Sequence, residues 1–187
     1  MQNVRDNDLA LAKRAAQGDR SSLHALVDRH CKPLYRTALG LCPTQADAED
    51  VLQETLLAAF RGIGGFSGQA SLLTWMTRIL VRQAAKVGKK RRRRKLESIE
   101  EIAPSDPRLP LSRQTLDEDG RLDFAAALRK LAREHREVVV LREVQGLSYT
   151  EIAELLGIAQ GTVESRIHRA RLELRQHLRA YASPPAR

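Results

Sequence analysis

The stretch EVVVLREVQGLSYTEIAELLGIAQGTVESRIHRARLELRQHL, residues 137–178, decides the fold. Ser148, Tyr149, Thr150 and Glu151 form a capped helix start, because a serine hydroxyl and a carboxylate three residues on can satisfy the free N–H groups of a first turn. Ile152, Ala153, Leu155 and Leu156 follow at helical spacing, and Gly157 is the stop. A new helix begins near Gly161 and Thr162 and buries Val163, Ile167, Ala170, Leu174 and Leu178. A small residue, Ala153, four before a turn glycine, with apolar Ile158 and Val163 after it, is the helix-turn-helix pattern. Just upstream, Val138, Val139, Val140 and Leu141 look locally like a strand. No partner strand is apparent in the chain, and a lone strand has nothing to pair with, so a buried helix is expected there.

Working outward, the rest of the chain is also helical in pattern. Asn7 or Asp8 is expected to cap a first helix that stops at Gly18, and Ser21 or Ser22 a second that runs through Pro33 to Gly40. Pro43 and Thr44 open a third, with Ala48, Val51, Leu52, Leu56 and Ala59 inward, and Ser71 caps a fourth with Leu72, Leu73, Met76, Ile79, Leu80 and Val87 inward. From Gly88 to Gly120 periodicity fails: the run turns from basic to acidic and contains Pro104, Pro107 and Pro110, a composition that buries no core. The expected architecture is all-α, two small helical domains at residues 1–95 and 121–187 joined by a flexible linker at 96–120. Only seven aromatics in 187 residues agree with helices rather than sheets.

Charge then narrows the function. Lys plus Arg number 32 against 23 Asp plus Glu, a net +9 that points to a polyanionic partner. The excess is local: residues 61–95 hold eleven basic side chains and no acid. No 18-residue apolar run and no signal-peptide core occur, so a cytoplasmic chain without direct membrane insertion is expected. Cys31 and Cys42 cannot make a disulfide framework and read as free thiols, and with the five histidines they form no metal spacing, catalytic triad or phosphate loop. An enzyme, a metal and a cofactor are therefore not expected.

Three groups of residues remain. On the last helix Thr162, Ser165, Arg166 and Arg169, flanked by His168 and Arg171, lie opposite the core, where a recognition helix offers side chains to base edges in the major groove. On the fourth helix Trp75, Arg78, Arg82, Lys86 and Lys89 recur near 3.6 spacing after a glycine-rich loop around Phe66. Aromatics beside a basic stripe suit single-stranded nucleic acid, whose bases stack while cations follow the backbone. The third helix is acidic, with Asp47, Glu49, Asp50 and Glu54 and no Lys or Arg between Leu41 and Phe60. Such a patch repels DNA, and its natural partner is a basic protein surface.

Together the runs DAEDVLQET (47–55), TWMTRI (74–79), residues 137–157 and GTVESR (161–166) resemble bacterial sigma factors of the sigma-70 family, extracytoplasmic-function group. The resemblance implies a first domain that binds core RNA polymerase and opens the minus-10 promoter element, a second that reads the minus-35 element, and control by an anti-sigma factor. It places core binding on Asp47, Glu49, Asp50, Gln53 and Glu54. Minus-10 DNA falls to Phe66, Trp75, Arg78, Arg82, Lys86 and Lys89, and minus-35 DNA to Gly161–Arg171. Arg82, Lys86, Gln69 and Glu164 stand where members of the family often carry Asn, Asp, an acid, and Arg or Lys, so promoter sequence is the least transferable property. A stand-alone helix-turn-helix regulator would explain residues 148–178 but neither the acidic helix nor the single-strand segment.

Overall fold

In the computed structural model, which describes residues 2–97 and 127–182, every regular element among those residues is helical. The chain forms α1 (Gln2–Ala16), α2 (Arg20–Leu41), α3 (Gln45–Gly62), a 3₁₀ turn at Ile63–Gly65 and α4 (Leu72–Glu97). After residues 98–126, where most of the expected linker and Phe124 lie outside the described residues, come α5 (Arg133–Val139), a π-helical turn at Val140–Val144, α6 (Tyr149–Leu156) and α7 (Gln160–Ala182). Packing divides the chain into two compact units, Met1–Ala38 with Ala46–Ile102, and Leu39–Gln45 with Ala103–Arg187.

In the first unit the caps differ from expectation at both early helices. Asp8 does not open α1: that helix starts six residues earlier, and Asp8 is buried inside it at 4 % exposure. Asp19, not Ser21 or Ser22, caps α2: its Oδ1 accepts the Ser21 amide at 2.9 Å and the Ser21 hydroxyl at 2.7 Å, and its Oδ2 accepts the Ser22 hydroxyl at 2.6 Å. The side-chain bond from Ser22, then that from Ser21, pull the Asp19 carboxyl down to about 2. Pro33 lies inside α2, which continues to Leu41, one residue beyond Gly40. Ser71 does cap α4, its hydroxyl accepting the Thr74 amide at 3.0 Å. The helix then runs through the seven consecutive basic residues Lys89–Lys95 to Glu97, two residues into the expected linker. Lysine and arginine are good helix formers, and their long side chains reach water from a helix surface as readily as from a coil.

Leu26, Leu34, Val51, Leu72, Met76 and Leu80, each at most 1 % exposed, form the centre of this unit. Thr55 and Thr77 turn their hydroxyls back on the carbonyls of Val51 and Leu73, so polar groups at core positions cost nothing unsatisfied. In the second unit Val138, Val139, Val140 and Leu141 are helical and buried, as the lack of a partner strand required. Ile152, Val163, Ile167 and Ala170 are buried in the same unit; the Leu178 side chain lies outside the described residues. Cys42 is buried and Cys31 half-buried, both as free thiols.

Candidate nucleic-acid interface

The helix-turn-helix is built by the residues that announced it. The Ser148 hydroxyl accepts the Glu151 amide at 3.2 Å, and the Glu151 carboxylate accepts the Ser148 amide at 2.8 Å, a reciprocal capping box. Gly157 closes α6 in the left-handed region, φ 65° and ψ 39°, and its amide and that of Ile158 return to the Ala153 carbonyl. Val163, Ile167 and Ala170 then hold one side of α7 in the core. That leaves Ser165, His168, Arg169 and Arg171 exposed, with Thr162 and Arg166 half-buried. Two of these arginines are engaged within the unit: Arg166 with Glu134 of α5 at 3.3 Å, and Arg171 with Glu143 of the π turn at 2.9 Å. The Glu143 hydrogen bond raises the Arg171 guanidinium above its ordinary value. Arg169 has no ion-pair partner among the described residues. Glu134 and Glu143 carry no local signal for this role, because the pairs span 32 and 28 residues.

In the first unit the loop between α3 and α4 presents its aromatic residue on a fixed support. The Phe66 ring lies 5.6 Å from the Trp75 ring at an interplanar angle of 53°, a tilted aromatic pair. A Cβ on Gly62 would sit 3.7 Å from Trp75, so the end of α3 runs along the indole. Both rings are half-buried, so Trp75 supports Phe66 and is part of the packing. From there Arg78, Arg82, Lys86 and Lys89 continue along one face of α4 at three- and four-residue steps. Arg82, Lys86 and Lys89 are exposed.

On α3 the inward residues are Ala48, Val51, Thr55 and Ala59, while Leu52 and Leu56 are half-buried. Glu49, Asp50, Gln53 and Glu54 are exposed. Asp47 is half-buried and accepts Arg91 of α4 at 3.1 Å, and Glu49 accepts the Tyr35 hydroxyl at 3.3 Å. Leu57, 41 % exposed, follows Gln53 by one turn and adds an apolar spot to the acidic face. The helical period had offered it no inward position, and its exposure is what marks it. Groups of three or more metal-ligating side chains are absent among the described residues.

Residues 26–95 match the model for sigma-70 region 2, and residues 121–174 that for sigma-70 region 4. The extracytoplasmic-function sigma factor SigE of Mycolicibacterium smegmatis is 36 % identical over 176 residues, covering 91 % of this chain and 68 % of SigE. SigM of Mycobacterium tuberculosis (strain Erdman) is 36 % identical over 170 residues, covering 91 % and 83 %. Among solved structures, CnrH in complex with the cytosolic domain of CnrY superposes with a TM-score of 0.66 at 30 % identity, covering 93 % of this chain and 98 % of CnrH. RpoE in complex with the anti-sigma factor NepR from Bartonella quintana gives 0.73 at 29 %, covering 83 % and 96 %. The chain belongs to the sigma-70 family of transcription initiation factors, in its extracytoplasmic-function group. No helix among the described residues is long and apolar enough to cross a membrane.

Proposed function

We propose that this sigma factor binds core RNA polymerase through Asp47, Glu49, Asp50, Gln53, Glu54 and Leu57 on α3, and acts without catalytic chemistry of its own in the cytoplasm. The observation that carries this is the exposed acidic face of α3 in a chain of net charge +9. A carboxylate row has no use against DNA, and complementary charge steers it to a basic protein surface, where Leu57 adds apolar contact.

Promoter DNA is met at two places. At the minus-10 element Phe66, held on Trp75, stacks against an unpaired base while Arg82, Lys86 and Lys89 neutralise successive phosphates. Stacking favours only the strand that has left the duplex, so it shifts the melting equilibrium toward the open form. At the minus-35 element the α7 surface of Thr162, Ser165, Arg166, His168, Arg169 and Arg171 enters the major groove. There Arg169 is poised for a bidentate contact to guanine, and Arg171 for phosphate. An anti-sigma protein is the expected regulator, since one relative of known structure, RpoE, is bound by the anti-sigma factor NepR.

Reversing Asp50 and Glu54 to Lys tests the reading directly. Co-purification with core polymerase should be lost with helical content by circular dichroism unchanged; retained binding refutes it. An anti-sigma partner isolated from the same cells should compete with core polymerase in a pull-down, and a stable ternary complex would count against shared surfaces.

A further inference from the structure

The N-terminal helix α1 precedes the region-2 match, which starts at residue 26, and none of its residues has been given a part in the function above. It packs on the glycine-rich loop that carries Phe66. A Cβ on Gly68 would meet the Leu9 methyls at 3.2 and 3.3 Å, and one on Gly64 would touch the Ala16 methyl at 3.9 Å. Gly64 and Gly68 lie two residues on either side of Phe66. The loop therefore lies against one helix on both flanks of its aromatic residue, at ordinary contact distance at Gly64 and at Gly68 so closely that a Cβ would crowd Leu9. Gly68 also has φ +78°, a backbone state that L side chains rarely adopt.

What fixes α1 is polar and buried. Asp8, 4 % exposed, places Oδ2 2.9 Å from Nε2 of His30, itself 5 % exposed, and Oδ1 against the Arg29 guanidinium. A carboxylate that gives up water must be matched by donors at fixed positions. The match sets where α1 lies along α2, and so where Leu9, the next residue, meets the loop. Leu11 and Ala12, buried at 7 % and 1 %, complete the seat.

We infer that α1 is a brace for the strand-capturing loop, with Leu9 as the contact and Asp8 as the positioning residue that holds it. The inference rests on the reading of Phe66 as the single-strand contact. A braced loop offers Phe66 in one place before DNA arrives, so capture of an unpaired base does not first require ordering the loop. An unbraced loop would bind the same base more weakly.

The test uses holoenzyme assembled from the full chain and core polymerase. Its probe is a fluorescent single-stranded oligonucleotide bearing the non-template minus-10 strand of a promoter that the wild-type holoenzyme transcribes. Phe66→Ala should weaken binding about tenfold or more, the scale of one base–aromatic stack, and Leu9→Ala about fivefold, as part of that stack is lost. Asp8→Asn should act in the same direction as Leu9→Ala. Affinity for core polymerase and for duplex minus-35 DNA should stay within about twofold for both α1 variants, since sites with no shared partners behave independently. The double variant Leu9→Ala with Phe66→Ala should lose no more than Phe66→Ala alone, because a brace has nothing left to position. Additive losses, or equal weakening of core binding by Leu9→Ala, overturn the brace while leaving the minus-10 reading intact. If Phe66→Ala leaves oligonucleotide binding unchanged, the minus-10 reading fails and the brace falls with it.

Discussion

The two basic helices proposed to meet DNA hold their cations differently. On α4, Arg82, Lys86 and Lys89 are exposed and have no ion-pair partner among the described residues. On α7, Arg166 and Arg171 are already paired to Glu134 and Glu143. An unpaired cation gives its whole charge to a phosphate and releases a counterion, whereas a paired one must first surrender a carboxylate. The difference separates two tasks. The α4 stripe is built for affinity along a backbone of any sequence, while on α7 the pairs hold back Arg166 and Arg171 and leave Arg169 between them as the cation offered to a base edge.

The contrast can be broken most forcefully on α4. Replacing Arg82, Lys86 and Lys89 together by Ala should lower the salt slope of single-strand binding by about 2, from roughly 0.7 per neutralised phosphate, which at about 0.1 M salt is about a hundredfold in affinity. An unchanged slope in a salt titration would show that the stripe only keeps α4 in solution.

On α7 the expected effect is smaller and depends on sequence. Arg169→Ala should cost about 1 to 3 kcal/mol of discrimination at one or two upstream base pairs in a competition assay with substituted duplexes. Equal losses on every duplex would move the recognition to DNA shape. Arg175→Ala, further along the same helix and exposed, should instead weaken all duplexes alike.

A pH titration probes the stability of the first unit through His30. Burial, opposed by the Asp8 carboxylate and aided by Arg29, holds His30 below its ordinary 6.5. The folded state thus prefers the neutral ring, and the stability is fully present above pH 6.5. It is lost as pH falls below that value, because the unfolded chain takes up the proton first, with a slope of at most about 1.4 kcal/mol per pH unit. Urea unfolding of His30→Gln should show a shallower acid limb than wild type between pH 7 and 5.5. Parallel limbs would remove His30 from the account.

The smallest effect is expected at an α7 ion pair. Glu134→Gln frees Arg166 and should strengthen duplex binding by about two- to fivefold, since surface pairs are worth about 0 to 1 kcal/mol. A weaker complex would mean that Glu134 aims Arg166 and does not merely compete for it.

What was legible in the sequence was whatever rests on neighbours in the chain. The Ser148–Glu151 box, Gly157 and the Ser71 cap are contacts over a few residues, and each formed as read. Asp8 misled because an acid near a helix start is usually a cap, and its actual partners lie 21 and 22 residues away. The end of α4 was misplaced because a basic run fits neither helical nor strand patterning, although nothing in it opposes a helix. The acidic face of α3 was plain from charge alone, but the exposure of Leu57 was not, since an apolar residue beside Leu56 has no pattern of its own. Glu134 and Glu143 became visible only when the second unit brought α5 and α7 together.

The turn at Val140–Val144 carries one residue more than an α-helix would use. The Gln145 amide reaches back five residues to the Val140 carbonyl at 3.3 Å. Arg142 then bonds the Leu147 carbonyl and lies 5.3 Å over the Tyr149 ring, fastening the wide turn to the start of α6. Chain length is therefore a specification here, as much as residue type. Taking one residue out would let α5 continue in regular register and turn whatever follows by about 100°. The DNA-reading helices would then be intact in sequence, correctly capped, and pointed the wrong way.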